Sequence, residues 1–400
     1  MRMISEKLIQ INPSPTLMAE TKARELRAKG LPVISLSTGE PDFDTPDYIK
    51  LAAIDAIKNG YTKYTPIGGI TELKLAIIEK FKRENNLEYD VNQVCIGSGA
   101  KQVIYNALMA SLNPGDEVLI LAPYWVSYPE MVKIAGGTPV IVEADLKHNF
   151  SLEIDKIESR ISKKTKWLLL NSPNNPSGKI YSYQELKKLA DMLLKHEHVY
   201  ILTDDIYEHL VYDTAKFHTL ASVEPKLKNR ILTVNGVSKT YAMTGWRIGY
   251  CAGPIELIKA MTIIQSQSTS NPCSISQWAA VTALNGPQDF IPQNNKIFLR
   301  RRNEAAAIFN AIPNLECIAP EGAFYLFVNC SGLFGKKTPN NAILKDSNDV
   351  TNYLLEQALV AVVSGEAFGV NGFFRISYAT NDHDLLEACN RIKKACELLF

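Results

Sequence analysis

The chain has 400 residues, of which 46% are hydrophobic and 21% are charged, and its formal net charge is +1. This length predicts two or three domains, because one domain typically takes ~100–200 residues. The nearly neutral charge argues against a nucleic acid, a membrane surface or a polyanion as a partner.

The cysteines and the apolar runs indicate where the protein functions. The seven cysteines are scattered along the chain, and no Cys-x-x-Cys pair occurs. This spacing argues against a disulfide framework and a zinc site, and it favours a reducing compartment. The first residues, MRMISEKLIQINPSP, lack the apolar segment of a secretory signal, and no run approaches the ~18 apolar residues of a membrane helix. We therefore expect a soluble, cytoplasmic protein without a metal site.

The chain begins with an irregular, proline-rich arm that runs through STGEPDFDTP. Beyond the arm, short apolar runs alternate with segments of helical period. These runs are VCIG (94–97), VLILAP (118–123), WLLLN (167–171), VYILT (199–203) and ILTV (231–234). Runs that are apolar throughout are typical of strands buried on both faces. The alternation predicts an α/β fold with a mostly parallel central sheet and helices on both faces.

The pattern changes to α+β after about residue 290. The stretch FLRRRNEAAAIFNAI (298–312) predicts an amphipathic helix, GAFYLFVNC and GFFRISYA predict strands, and DLLEACNRIKKACELLF predicts a closing helix. We predict an N-terminal arm that forms part of a small domain, a large domain, and a C-terminal small domain, at 1–45, 46–290 and 291–400 respectively.

Polar side chains follow three neighbouring strands of the predicted sheet. Asn175 comes after WLLLN, Asp204 and Tyr207 come after VYILT, and Ser238 and Lys239 come after ILTV. One strand–helix–strand unit takes roughly 30 residues, which matches the spacing of these groups. Because ligands of open parallel sheets bind outside the carboxyl ends of the strands, we expect these side chains to meet at one edge.

A possible anion site follows the strand VCIG, where SGAK (98–101) opens a helix. Free backbone N–H groups and the helix dipole favour a phosphate there, although a plain Ser98 N-cap explains the same stretch. A dinucleotide fingerprint is excluded because Gln102 stands where it needs glycine. The stretch His196-Glu197-His198 does not match the H-E-x-x-H zinc motif, and we expect it at the solvated end of a helix.

One cofactor needs all of these groups together. Pyridoxal phosphate requires an anion site for its phosphate, a carboxylate beside its ring nitrogen, a phenol or amide beside its ring oxygen, and a lysine for its aldehyde. Each residue has an ordinary alternative: Asp204 as a helix cap, Tyr207 as a core aromatic, Lys239 as a solvated charge. Their joint placement at successive strand ends favours the cofactor site.

The motifs SPNNPSGK, TDDIYEHL, VSKTYAMTGWRIGY and FRISYA resemble those of the fold-type-I pyridoxal-phosphate aminotransferases. STGEPDFDTP, PYWVSYPEM and QSQSTSNPCSISQ are similar to the bacterial subgroup that contains aspartate aminotransferases. The resemblance extends from about residue 5 to 395. It implies a homodimer whose active site is shared between subunits.

The resemblance also implies roles for individual residues. Lys239 is implied as the catalytic lysine that forms a Schiff base with the cofactor. The other cofactor-binding residues implied are Gly99, Ala100, Lys101, Trp125, Asn175, Asp204, Tyr207, Ser238, Arg247 and, reaching in from the second subunit, Tyr64. The substrate-binding residues implied are Gly39, Trp125, Asn175 and, for the α-carboxylate, Arg375.

The resemblance leaves more than one substrate open. It favours ping-pong transfer between L-aspartate and 2-oxoglutarate, giving oxaloacetate and L-glutamate. Some relatives that accept acidic substrates carry a lysine on the helix after the phosphate loop, but this helix has none after Lys101. Asn12 stands where some prephenate-accepting relatives carry a basic residue. Aromatic amino acids, prephenate and alanine therefore remain alternatives. More distant alternatives are a lyase or decarboxylase that uses the same cofactor, and a non-catalytic regulator.

Overall fold

The computed structural model describes residues 3–143 and 148–400. Its α-helices are numbered in chain order: α1 (Pro15–Ala28), α2 (Asp47–Lys58), α3 (Thr71–Asn85), α4 (Ala100–Ser111), α5 (Ser127–Ile134), α6 (Ile154–Ser159), α7 (Tyr183–Leu193), α8 (Leu220–Val223), α9 (Ile255–Ser266), α10 (Ser274–Asn285), α11 (Phe290–Asn310), α12 (Ser347–Tyr353) and α13 (Asp382–Glu397). None of the helices described is long and apolar enough to cross a membrane.

The strands form one large sheet and two small ones. They are β1 (Ile34–Ser35), β2 (Val94–Gly97), β3 (Glu117–Leu121), β4 (Thr138–Val142), β5 (Thr165–Asn171), β6 (Tyr200–Asp204), β7 (Ile231–Gly236), β8 (Gly249–Ala252), β9 (Tyr325–Asn329), β10 (Val360–Ala361), β11 (Val363–Ser364) and β12 (Phe373–Ser377). The large sheet has the order β2-β8-β7-β6-β5-β3-β4. Strand β8 runs opposite to all the other strands of this sheet, and so is antiparallel to both of its neighbours, β2 and β7. The predicted mostly parallel sheet is confirmed.

The central strands are apolar throughout because both faces of the sheet are covered. Along β5, Leu168 and Leu170 pack into the core beneath α3, α7 and α10, whereas Trp167 and Leu169 pack into the core beneath α4, α5 and α9. Successive strand residues point to opposite faces, so a strand covered on both sides needs an apolar residue at every position. Each such side chain contributes about 1.5–3 kcal/mol on burial.

The remaining elements build a smaller α+β unit from both ends of the chain. Strands β11, β12 and β9 form an antiparallel sheet, and α11 and α13 pack together beside it. The N-terminal arm joins this unit, since β1 pairs in parallel with β10 and the Ser377 N–H donates to the Leu36 carbonyl at 2.8 Å. The helix predicted at 298–312 begins earlier, at Phe290, and ends at Asn310.

Candidate active site

A cavity of about 460 Å³ opens at the carboxyl edge of the parallel strands. It collects side chains from the arm, the large sheet and the small sheet. Sequence-predicted residues that line it are Gly39, Ala100, Lys101, Trp125, Asn175, Asp204, Tyr207, Ser238, Lys239, Arg247 and Arg375. The structure therefore brings almost the whole predicted set to one place. Two predicted residues are not part of this lining: Gly99, which directly precedes α4, and Tyr64, with 93% of its surface exposed in the single chain.

Lys239 follows β7 and reaches across the cavity to the arm. Its Nζ donates to the Gly39 carbonyl at 2.5 Å. Burial lowers the pKa of Lys239 to about 8, and the positive charges of Arg375 and Arg247 act in the same direction, while Glu40 opposes them. A larger fraction of this amine is thus neutral near neutral pH than for an ordinary lysine, and only the neutral amine can attack a carbonyl or accept a proton.

Asp204 is the last residue of β6 rather than a helix cap. The Tyr128 hydroxyl donates to its Oδ2 at 2.6 Å, whereas its buried Oδ1 has no hydrogen-bond partner among the described residues. Burial raises the pKa of Asp204 to about 6, and the Tyr128 hydrogen bond limits the rise. A buried acceptor without a donor is costly, so a protonated ring nitrogen is a suitable partner for Oδ1.

The start of α4 forms an anion site together with Arg247. The N-cap of α4 is Gly99, with φ of 92° and no capping side chain, so the alternative of a Ser98 cap is wrong. A Cβ at Gly99 would collide with the Arg247 guanidinium, which donates to the Thr244 carbonyl at 2.8 Å. Free N–H groups, a helix dipole and a guanidinium suit a phosphate.

Arg375 projects from β12 and is almost completely buried. Its Nη1 donates to Asn175 Oδ1 at 2.8 Å, and its guanidinium lies 4.4 Å from the centre of the Tyr325 ring. Its Nη2 donates to the Ser37 carbonyl, while its buried Nε has no partner among the described residues and no carboxylate there acts on its charge. Burial therefore lowers the pKa of Arg375. A buried guanidinium without a counter-charge is suited to bind a carboxylate of a ligand.

Two tyrosines of the site were not predicted from the sequence. Tyr128 supports Asp204, as described above, and Tyr325 shares a 2.8 Å hydrogen bond between hydroxyls with Tyr207. A Cβ at Gly39 would collide with the Tyr325 hydroxyl, which explains the glycine in the arm. Tyr128 lies within the motif PYWVSYPEM, three residues after Trp125, but its contact with Asp204 has no local sequence signal.

Lys101 occupies a position that the sequence did not reveal. It lies in the first turn of α4, lines the cavity, and places its Nζ 4.8 Å from the centre of the Trp125 ring. Burial and the charge of Arg247 lower the pKa of Lys101. No carboxylate among the described residues offsets these two effects, so this cation is free to meet a ligand.

Pyridoxal phosphate fits this donor set. Its ring nitrogen would meet the unpartnered Asp204 Oδ1, its phosphate the start of α4 and Arg247, and its aldehyde the amine of Lys239. Combined with the mostly parallel sheet, these features define a fold-type-I pyridoxal-phosphate enzyme that acts on a carboxylate-bearing amine.

Comparison with known proteins identifies the class within this group. Residues 32–392 match the family model of aminotransferase class I and II, and the chain belongs to that family. It is 58% identical to a probable aspartate/prephenate aminotransferase of Rickettsia bellii, over 99% of each chain. It is 53% identical to an aspartate aminotransferase of Rhizobium meliloti, over 99% of this chain and 96% of the relative.

Solved structures show the same architecture. The crystal structure of the aspartate aminotransferase from Rhizobium meliloti matches with a TM-score of 0.97 and 52% identity, over 100% of both chains. The aspartate aminotransferase of Thermus thermophilus with maleate matches with a TM-score of 0.92 and 41% identity, over 99% of this chain and 100% of that one. The protein is thus a pyridoxal-phosphate-dependent aminotransferase.

Proposed function

We propose that the protein is an aspartate aminotransferase, which moves the amino group of L-aspartate to 2-oxoglutarate to give oxaloacetate and L-glutamate. The observation that carries this proposal is that Arg375 and Lys101 line the same cavity as Lys239. A dicarboxylic amino acid has two anionic groups, which two cations can bind. The names of the relatives agree, and the Thermus structure contains maleate, which is also a dicarboxylate.

In this proposal each of the two cations binds one carboxylate of the substrate. Four cationic side chains line the described cavity: Lys101, Lys239, Arg247 and Arg375. Arg247 serves the phosphate, Lys239 the aldehyde and Arg375 the α-carboxylate. Lys101 then remains for the distal carboxylate, as well as lying near the phosphate site. A lysine farther along α4 is therefore unnecessary.

The residues around the cofactor have positioning roles. Asp204 would hold the ring nitrogen protonated, because its Oδ1 accepts and cannot donate when ionised. Tyr207 and Asn175 would donate to the ring oxygen, and Trp125 would stack against the ring. Gly99, Ala100, Lys101 and Ser238 would surround the phosphate with Arg247. Gly39, Trp125 and Asn175 would assist Arg375 in binding the substrate.

Lys239 acts as the proton carrier of the reaction. Bound pyridoxal phosphate supplies an electron sink for the negative charge that develops at the substrate α-carbon. The Lys239 Nζ, neutral in part near pH 8, would take the α-proton of the substrate and hold it for the return transfer. Arg375 holds the carboxylate in place rather than releasing it, which favours transamination over α-decarboxylation. Two such half-reactions give ping-pong kinetics.

Prephenate is the second candidate amino acceptor, because several relatives are named aspartate/prephenate aminotransferases. Asn12 does not supply the basic side chain that some prephenate-accepting relatives carry. Its backbone N–H donates to Glu130 at 3.0 Å. Prephenate carries two carboxylates, so Arg375 and Lys101 could bind it without a third cation.

We also propose a homodimer in the cytoplasm, with Tyr64 reaching the phosphate of the second subunit. Support comes from the exposure of Tyr64 and of apolar side chains on the neighbouring helix α2, namely Leu51, Ile54 and Ile57. Exposed apolar patches of this kind indicate an interface. All seven cysteines are free, as expected in a reducing compartment. The arm with 291–400 as a small domain, and 46–290 as a large domain, completes the proposed organisation.

The test is to add single amino acids to the purified protein loaded with pyridoxal phosphate and to record the absorbance of the bound cofactor. Aspartate and glutamate should convert it to the aminated form, and prephenate should then reverse the conversion if it is an acceptor. Conversion by alanine or tyrosine but not by aspartate would refute the proposal. Lys239→Ala should abolish turnover, and normal activity in that variant would exclude the assigned lysine.

A further inference from the structure

A buried charge cluster lies behind the active site and outside the cavity. Its centre is Glu208, which ion-pairs with the fully buried Lys80 of α3 and accepts from Asn85 and Asn235 at 2.8 Å and 2.7 Å. Lys80 also donates to Asn85 Oδ1 at 2.7 Å and lies 3.4 Å from Glu84. Every charge in this cluster has a counter-charge. None of these five residues lines the cavity.

His209 extends the cluster to the loop that carries Lys239, residues 237–243, called the Lys239 loop below. Its Nε2 lies 2.9 Å from Glu84 Oε2, and its Nδ1 lies 3.0 Å from Thr240 Oγ1. An ionised carboxylate can only accept, so Nε2 carries a proton, and in the neutral ring Nδ1 accepts from the Thr240 hydroxyl. Burial acts to raise the pKa of Glu84, but His209 and Lys80 lower it to about 2, so Glu84 is ionised.

The hydrogen bonds from Glu84 through His209 to Thr240, here called the bridge, join two segments of the active site. One segment carries Tyr207 and the other carries Lys239. Glu208 and His209 directly follow Tyr207, and Thr240 directly follows Lys239. Thr240 is buried, and His209 is the only hydrogen-bond partner of its hydroxyl among the described residues. A shift of Thr240 would therefore move Lys239 relative to Tyr207.

Glu84, Glu208 and His209 are close enough together to share a metal ion. The Lys80 ammonium already lies between these two carboxylates, and Arg83 pairs with Glu84 as well, so a metal ion would meet cations where it needs anions. The cluster has the composition of an internal support, not of a metal site.

We propose that His209 and Thr240, anchored through Glu84 and the Lys80–Glu208 pair, are positioning residues that fix the Lys239 loop against the Tyr207 segment. Neither residue is part of the cavity lining. Their effect is to limit the motion of the loop, which keeps the amine of Lys239 in line with its target. The inference rests on the proposed role of Lys239.

The test uses variants that separate the two ends of the bridge. His209→Gln keeps a donor near Nε2 for Glu84 but loses the acceptor for Thr240. His209→Asn keeps an acceptor near Nδ1 but loses the contact with Glu84. Thr240→Val removes the hydroxyl at constant shape. His196→Gln is the matched control, because His196 pairs with Glu158 at 3.0 Å with similar exposure, far along the chain from the loop.

The first measurement is hydrogen exchange in the cofactor-free protein. The loop contains two backbone hydrogen bonds, from the Tyr241 N–H to the Val237 carbonyl and from the Met243 N–H to the Ser238 carbonyl. His209→Gln and Thr240→Val should each raise exchange at these amides by roughly fivefold, since one hydrogen bond is lost. The double variant should exchange no faster than either single one. His209→Asn keeps the bond to Thr240 but loses its anchor on Glu84, so it should also raise exchange, by less than His209→Gln does. His196→Gln should lie within twofold of wild type.

The second measurement is the rate at which pyridoxal phosphate becomes covalently attached to Lys239. His209→Gln and Thr240→Val should slow attachment and kcat by roughly fivefold, while the KM for aspartate stays within twofold because Arg375 is unaffected. Wild-type exchange and attachment in both variants would overturn the inference, as would equal effects in His196→Gln. If wild-type protein attaches no cofactor at Lys239, the proposed function fails instead, whatever the exchange shows.

Discussion

Tyr128→Phe tests how the site controls the ring nitrogen of the cofactor. The change removes only the hydroxyl that donates to Asp204 Oδ2 at 2.6 Å, and the ring keeps its edge contact with Trp125 at 5.3 Å between centroids. A hydrogen bond to a charged group contributes about 1.5–3 kcal/mol. Because Tyr128 donates to the ionised form, its loss raises the pKa of Asp204 further. The ratio of ionised to protonated Asp204 at a given pH should therefore fall by roughly 10–100-fold.

The assay is steady-state kinetics with aspartate and 2-oxoglutarate from pH 6 to pH 8. We expect kcat to fall by about tenfold or more, because a protonated Asp204 no longer holds the ring nitrogen as a cation. The KM for aspartate should change less than twofold, since Arg375 is not involved. The loss should be larger at pH 6 than at pH 8, because the pKa of Asp204 is already raised to about 6 in the wild type.

The control is Tyr353→Phe, which removes a buried hydroxyl that donates to the Ala395 carbonyl at 2.8 Å, away from the cavity. This variant should lose some thermal stability and keep its kcat. The reasoning is refuted if Tyr128→Phe keeps a kcat within twofold of wild type across this pH range, or if both variants lose activity equally.

Further predictions concern stability, pH and specificity. Arg301→Met breaks a bidentate ion pair with Asp42 at 2.8–2.9 Å and should cost about 2 kcal/mol in urea unfolding. Arg300→Met removes a half-exposed cation and should cost clearly less, because solvent screens its ion pairs; equal losses would contradict this. The attachment rate of pyridoxal phosphate should rise with pH and level off above about 8, where Lys239 is neutral; a rise continuing towards pH 10 would contradict the lowered pKa. Lys101→Met should lower kcat/KM for aspartate by about tenfold, while the value for alanine changes little; equal losses would contradict a role in binding the distal carboxylate.

The sequence predicted the large sheet well because its strands are buried on both faces. A run such as WLLLN has no alternation, and only a two-sided core explains such a run of this length. Strand β8 was not predicted because GYCA (249–252) overlaps the end of the motif VSKTYAMTGWRIGY (237–250), which was interpreted through Lys239 and Arg247. An antiparallel strand in a parallel sheet has no local signal that distinguishes it.

The site was predicted where its chemistry depends on chain order and was missed where it depends on packing. Asp204 and Lys239 end or follow strands, so their position follows from topology. Tyr128 and Tyr325 act through contacts with residues 76 and 118 positions away, which no local pattern encodes. Lys101 was assigned to the phosphate alone, because only the structure shows that the first turn of α4 faces the substrate cavity.

The pairing of β1 with β10 has a consequence for the order of events during synthesis. Ile34 leaves the ribosome early, but its partner Val360 is made roughly 330 residues later, about 15–65 s at ordinary elongation rates. Until then the arm, including Gly39, has no strand to join. The large sheet, by contrast, is complete once β8 has emerged. The nascent chain should therefore fold its central sheet first and close the substrate cavity only after release, so a chain truncated before β10 keeps a core without a working site.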